Sequence, residues 1–160
     1  MSRLIALPAP SDDRAAVPPV ASLHNAVADA RRRHRPLIAA AGAWALSRGV
    51  PLPADHIALW AAVVEDGGYS STADGINGPW RASHIAGFLE TIAAWCALAG
   101  CSPPVHLAES LWHLYGFLAA TGRLHPESDA LTELRAAVVV FCAIDDLPVI
   151  SPPPPEPTAA

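Results

Sequence analysis

Proline sets the limits on what this chain can fold into. Inside a helix a proline costs about 3 kcal/mol, and inside a sheet it removes a ladder hydrogen bond. The 17 prolines gather at the two ends and between the apolar stretches. Residues 1–21 hold four of them with two Asp and few large apolar groups, which predicts a disordered arm. Residues 148–160 contain Pro152 to Pro155 in a row and read as an extended polyproline II tail. The expected fold is all-α: a single five-helix domain over residues 22–147, with disordered proline-rich arms at both ends.

The first helix is expected over residues 22–47. Leu23, Val27, Ala30, His34, Leu37, Ala41 and Trp44 recur at steps of three and four, so they share one face. Pro36 interrupts this stripe without shifting it, which predicts one kinked helix or two nearly collinear ones. Gly49, Pro51 and Pro53 end it. The second helix is placed over 55–64 with Asp55 as N-cap. The third starts at Pro79 or Ser83 and ends at Ala99, with Gly100 just beyond it. The fourth is placed over 102–121, with Ser102 as N-cap and Pro103 at the first helical position. The fifth runs from Ser128 or Asp129 to Asp145. Its run from Ala136 to Ile144 is apolar enough for a buried strand, but a lone strand has no partner here. The predicted core is Trp44, Trp60, Ile85, Phe88, Ile92, Trp95, Leu107, Leu111, Leu114, Leu118, Leu134, Val138 and Phe141.

Composition removes several kinds of chemistry. Apolar residues make up 52% of the chain, but many are Ala, a strong helix former. There is neither Lys nor Gln, and all ten cations are Arg. A Lys Schiff base and a Walker-type phosphate loop are therefore excluded. The net charge of -5 argues against a generic nucleic-acid binder. No apolar run is long enough to predict a membrane span. The three cysteines, Cys96, Cys101 and Cys142, read as reduced thiols of a cytoplasmic protein.

Four groups of residues could carry function. Arg31, Arg32, Arg33 and Arg35 form the one basic cluster and could meet phosphates or an acidic protein surface. The Gly-rich stretch 65–78 is a candidate binding loop, with Asp66, Tyr69 and Asp74 as its polar groups. It is no calcium loop, because Ile76 stands at a ligand position. His106, Glu109 and His113 fall on one helix face and offer a metal-like set, with Cys96 and Cys101 nearby. That face is expected to be the outer one, and Phe117 on it suggests partner contact. Glu65 and Asp66 stand at a helix C-terminus, where anions are disfavoured. No nucleophile–base–acid set is present, and a helix-turn-helix pattern over residues 95–111 fails at His106 and Glu109.

The stretch Leu111-Trp112, Gly116 through Asp129 and Glu133-Leu134-Arg135 resembles a group of uncharacterised small helical proteins of GC-rich bacteria. The resemblance implies a helical fold and no activity. The expected function is a non-enzymatic helical interaction or regulatory module that binds a protein partner or a second copy of itself, with no cofactor. The alternatives are a nucleic-acid-associated regulator using the Arg31–Arg35 cluster and a metal-dependent protein using His106, Glu109 and His113.

Overall fold

The computed structural model describes residues 20–66 and 75–144. They form six α-helices rather than five. These are α1 (Val20–Arg33), α2 (Arg35–Arg48), α3 (Ala54–Asp66), α4 (Ile85–Leu98), α5 (Leu107–Ala120) and α6 (Leu131–Ile144). Short 3₁₀ turns at Gly75–Asn77 and Ala82–His84 precede α4. Among the described residues, no helix is long and apolar enough to cross a membrane. The tail 148–160 and all but the last two residues of the arm 1–21 lie outside the described residues.

The extra helix comes from splitting the first predicted one. His34 leaves helical geometry (φ -99°, ψ 18°), and Pro36 falls in the first turn of α2. A missing N–H costs nothing at that position, because the first-turn donors have no intrahelical partner. The apolar stripe survives the break: Leu23, Ala30, Leu37 and Ala41 are buried, and Trp44 is half-buried.

α3 occupies the middle. α1, α2, α4 and α5 all pack against it. Every residue from His56 to Val64 is therefore buried. α5 is nearly as enclosed, with Leu107, Ala108 and Ser110 to Leu118 buried between α2, α3 and α6. α6 is a helix, not a strand, and it covers α5 and α4 from one side. Its buried stripe is Leu134, Val138 and Cys142. Most of the predicted core is buried as expected; Trp44 and Phe141 are half-buried at its edge.

Two expectations are corrected here. α5 does not begin at Ser102 with Pro103 as its first helical residue. Pro104 follows Pro103, and a residue before proline is pushed out of helical space. The chain stays irregular until His106, which takes a left-handed conformation (φ 60°), and α5 starts at Leu107. Asp55 is not a cap, because α3 already includes Ala54; it lies in the first turn and pairs with Arg31.

The segment between the two 3₁₀ turns is tied down by Trp80. Its ring packs edge-on against Phe88 at 5.6 Å and Tyr115 at 5.2 Å. Its Nε1–H donates to the Ile76 carbonyl at 3.2 Å. Its backbone N–H donates to Ser128 Oγ at 3.0 Å, and its carbonyl accepts from the Asp129 N–H at 2.9 Å. The Asp129 carboxylate accepts from the Ala82 N–H at 2.8 Å and from Arg81 at 3.0 Å.

Candidate functional site

The basic cluster is engaged with the protein itself. Arg31 donates to Asp55 at 2.7 Å, and Arg32 pairs with Asp29 one turn earlier. Arg33 and His34 both reach Glu65 at the end of α3. Glu65 is thus no unexplained anion at a helix C-terminus. Burial works to raise its carboxyl, but hydrogen bonds from His34 and Arg33 outweigh that and hold it below the usual carboxylate range. Gly75 closes over the same group: a Cβ there would lie 2.9 Å from Glu65 Oε1. The cluster therefore fastens the α1–α2 junction to α3, and Arg35 stays exposed beside it. Of the predicted loop residues, Asp66 is exposed at the end of α3, and Tyr69 and Asp74 lie outside the described residues.

The His/Glu set is not brought together. His106 Nδ1 lies 3.1 Å from Glu109 Oε2, with both side chains partly exposed. His113 is buried, and its imidazole is pushed down by burial and by Arg135, against the opposing pull of Glu109. Among the described residues, no three His, Cys, Asp or Glu side chains are placed to hold a metal ion. The face expected to point outward is open only at its start, at His106 and Glu109, and is covered beyond them at His113 and Phe117. Phe117 is buried rather than exposed, with its ring edge-on to Trp44 at 5.9 Å. A helix with aromatics on both flanks of its apolar arc buries more than one face, and Trp112, Tyr115 and Phe117 supply those flanks from Ser110 to Leu118.

A buried Ser–His pair joins α3 to α5. Ser110 Oγ is 2.9 Å from His56 Nδ1 and donates to the His106 carbonyl at 3.0 Å. With its proton committed to that carbonyl, the hydroxyl accepts from His56 Nδ1–H. The imidazole is a donor here, not a base toward Ser110, and Ser110 is fully buried. The pair is a structural tie. Burial lowers the His56 pKa, with His106 adding to it and Asp55 opposing.

Arg135 interlocks α6 with α5. Its guanidinium lies 3.6 Å over the Trp112 ring, and its Nε–H donates to the Trp112 carbonyl at 3.3 Å. Gly116 allows this approach, since a Cβ there would come within 2.2 Å of Arg135 Nη2. Trp112, Gly116 and Arg135 are three of the residues on which the sequence resemblance rests.

The remaining feature was not read from the sequence. A cavity of about 420 Å³ opens between α4, the irregular segment before α5, and the end of α6. Leu89, Ala93, Pro103, Pro104, Val105 and Phe141 form most of its wall. Its ionic groups are His106 and Glu109, already paired to one another. The volume falls within the roughly 300–1,000 Å³ of ligand-sized clefts. Val105 both lines this cavity and stands 76% exposed. On α6, Val139 is 40% exposed one helical step from Cys142 on the cavity wall. The irregular Pro103–Val105 wall follows from the adjacent prolines, a signal that was present in the sequence.

Comparison with protein-family models, with curated proteins and with solved structures finds no match to this chain.

Proposed function

We propose that the chain is a non-enzymatic helical interaction module and that it binds a second copy of itself through the α4–α5–α6 cavity. One observation carries this reading: a recess and a projecting apolar side chain sit on the same surface. Val105 is 76% exposed on the wall of a cavity that its neighbours also line. A two-fold interface uses the same patch on both subunits, so that patch must be complementary to itself. A knob beside a hole meets this requirement: Val105 of each copy enters the cavity of the other. Val139, three residues from Cys142 on the cavity wall, adds further exposed apolar surface on α6.

The Arg31–Arg35 cluster gains no support as a phosphate-binding surface, because Arg31, Arg32 and Arg33 are paired with carboxylates. The metal reading gains none either, since His113 is buried away from solvent.

Native mass spectrometry and light scattering of the full chain over a concentration series test the proposal. The expected result is a dimer that dissociates on dilution. Val105→Asp places a charge in the recess and is expected to weaken the dimer at least tenfold, about 1.4 kcal/mol, with helical content unchanged. A wild-type chain that stays monomeric throughout overturns self-association. So does a dimer that Val105→Asp leaves intact, and so does a monomer carrying a small molecule lost in Val105→Asp.

A further inference from the structure

α4 ends in a way that places two thiols side by side. Gly100 takes the left-handed conformation (φ 70°) just after the last helical turn. The Cys101 N–H donates back to the Cys96 carbonyl at 2.9 Å, and the Gly100 N–H donates to the Ala97 carbonyl at 3.0 Å. These two bonds define a Schellman motif. In that motif the residue after the glycine meets the side chain of the residue five positions earlier, normally as an apolar contact. Here both positions are cysteine.

The backbone bond joins the two cysteines themselves. With standard bond lengths, a link of 2.9 Å between Cys101 N and Cys96 O keeps their Cα atoms within about 6.8 Å. A disulfide needs a separation of roughly 4.4–6.8 Å. The neighbouring Cys101 also disfavours ionisation of the Cys96 thiol. Both are free, Cys96 is buried and Cys101 is exposed.

We infer that Cys96 and Cys101 are an oxidation site, a dithiol that a low-molecular-weight disulfide converts to an intramolecular Cys96–Cys101 disulfide. Oxidised glutathione is the model oxidant. The exposed Cys101 thiolate attacks one of its sulfurs, forming a mixed disulfide and releasing one glutathione thiolate. Cys96 then gives its proton to water and displaces the second glutathione from Cys101. Two protein thiols are oxidised and one glutathione disulfide is reduced to two thiols. Burial and the neighbouring Cys101 push the Cys96 thiol up to about 11, so the second displacement is the slow one. Cys142, also buried, lies on α6 and outside the α4 cap that joins Cys96 to Cys101.

The site is independent of the dimer reading, because its readout is a count of thiols. The full chain is equilibrated across a series of reduced-to-oxidised glutathione ratios. It is then quenched in acid, denatured and alkylated, and its mass is measured. The expected result is the loss of two of the three alkylatable thiols in one step. Residues 96 and 101 should stay linked after the backbone is cut at Leu98, and Cys142 should remain alkylated. Cys142→Ser keeps the bond and Cys101→Ser abolishes it. The inference is overturned if all three thiols stay free across the series. It is equally overturned if oxidation stops at a glutathione adduct on Cys101, or if the bond that forms contains Cys142.

Discussion

α3 and α6 present similar sequences to very different surroundings. The run His56 to Val64 contains a histidine, and the run Ala136 to Ile144 is apolar throughout. Apolar character alone would put the second run deeper. The reverse holds: α3 is buried along all nine of those positions, while α6 leaves Val139 and Val140 exposed. The difference lies in neighbours. α3 has helices on every side, and α6 closes the bundle from outside. Apolar content says how much a segment can bury, and the order of elements decides how much it does bury.

Truncating the centre should have the largest effect. Trp60→Ala removes a fully buried indole from α3 and is expected to cost about 3–5 kcal/mol in urea unfolding. A domain of this kind has about 5–15 kcal/mol in total. A loss below about 1.5 kcal/mol would break the contrast between the two helices. On α6 the same experiment divides by face. Leu134→Ala, on the buried stripe, should cost about 2–5 kcal/mol.

Acid should act on the centre as well. His56 on α3 and His113 on α5 have imidazoles lowered by burial, so the unfolded chain binds more protons than the folded one between the two pKa values. Stability is then complete above the ordinary histidine value of about 6.5 and falls as the pH drops below it. Unfolding followed from pH 8 to pH 5 should show this slope, and a His56→Gln, His113→Gln double variant should flatten it. A slope unchanged in the double variant would place the acid sensitivity on other groups.

Two smaller effects sharpen the comparison. The Tyr115 hydroxyl is buried without a hydrogen-bond partner among the described residues, and burial raises its pKa well above the usual value. Tyr115→Phe removes that unpaired group and is expected to stabilise the fold by about 1 kcal/mol in thermal or urea unfolding. Destabilisation would mean that the hydroxyl has a partner. Val140→Ala, on the exposed face of α6, should change monomer stability by no more than about 0.5 kcal/mol.

What the sequence reveals here is periodicity and punctuation. Leu111, Leu114 and Leu118 are legible as core because they repeat at helical spacing. Phe117 is not. A helical wheel ranks the faces of one helix, but it cannot say that a second layer covers the poorer face. Glu65 stands out locally as an anion at the wrong helix end, and its partners Arg33 and His34 lie about thirty residues earlier, beyond any local rule. The cavity was hidden by a misplaced boundary. Reading Pro103 as a helix start filled with helix the segment that forms its irregular wall.

The position of α3 also sets a timetable for synthesis. Its apolar positions are complete once residue 66 has been made, yet their cover includes α5, which is buried as far as Leu118. At about 5–20 residues per second, that interval lasts about 3–10 s. During it the nascent chain carries the stretch from Ile57 to Val64 shielded first by α1 and α2 alone and then also by α4, which is complete at Leu98. The bundle therefore completes its folding only after α5 has been made, and α3 stays partly uncovered until then.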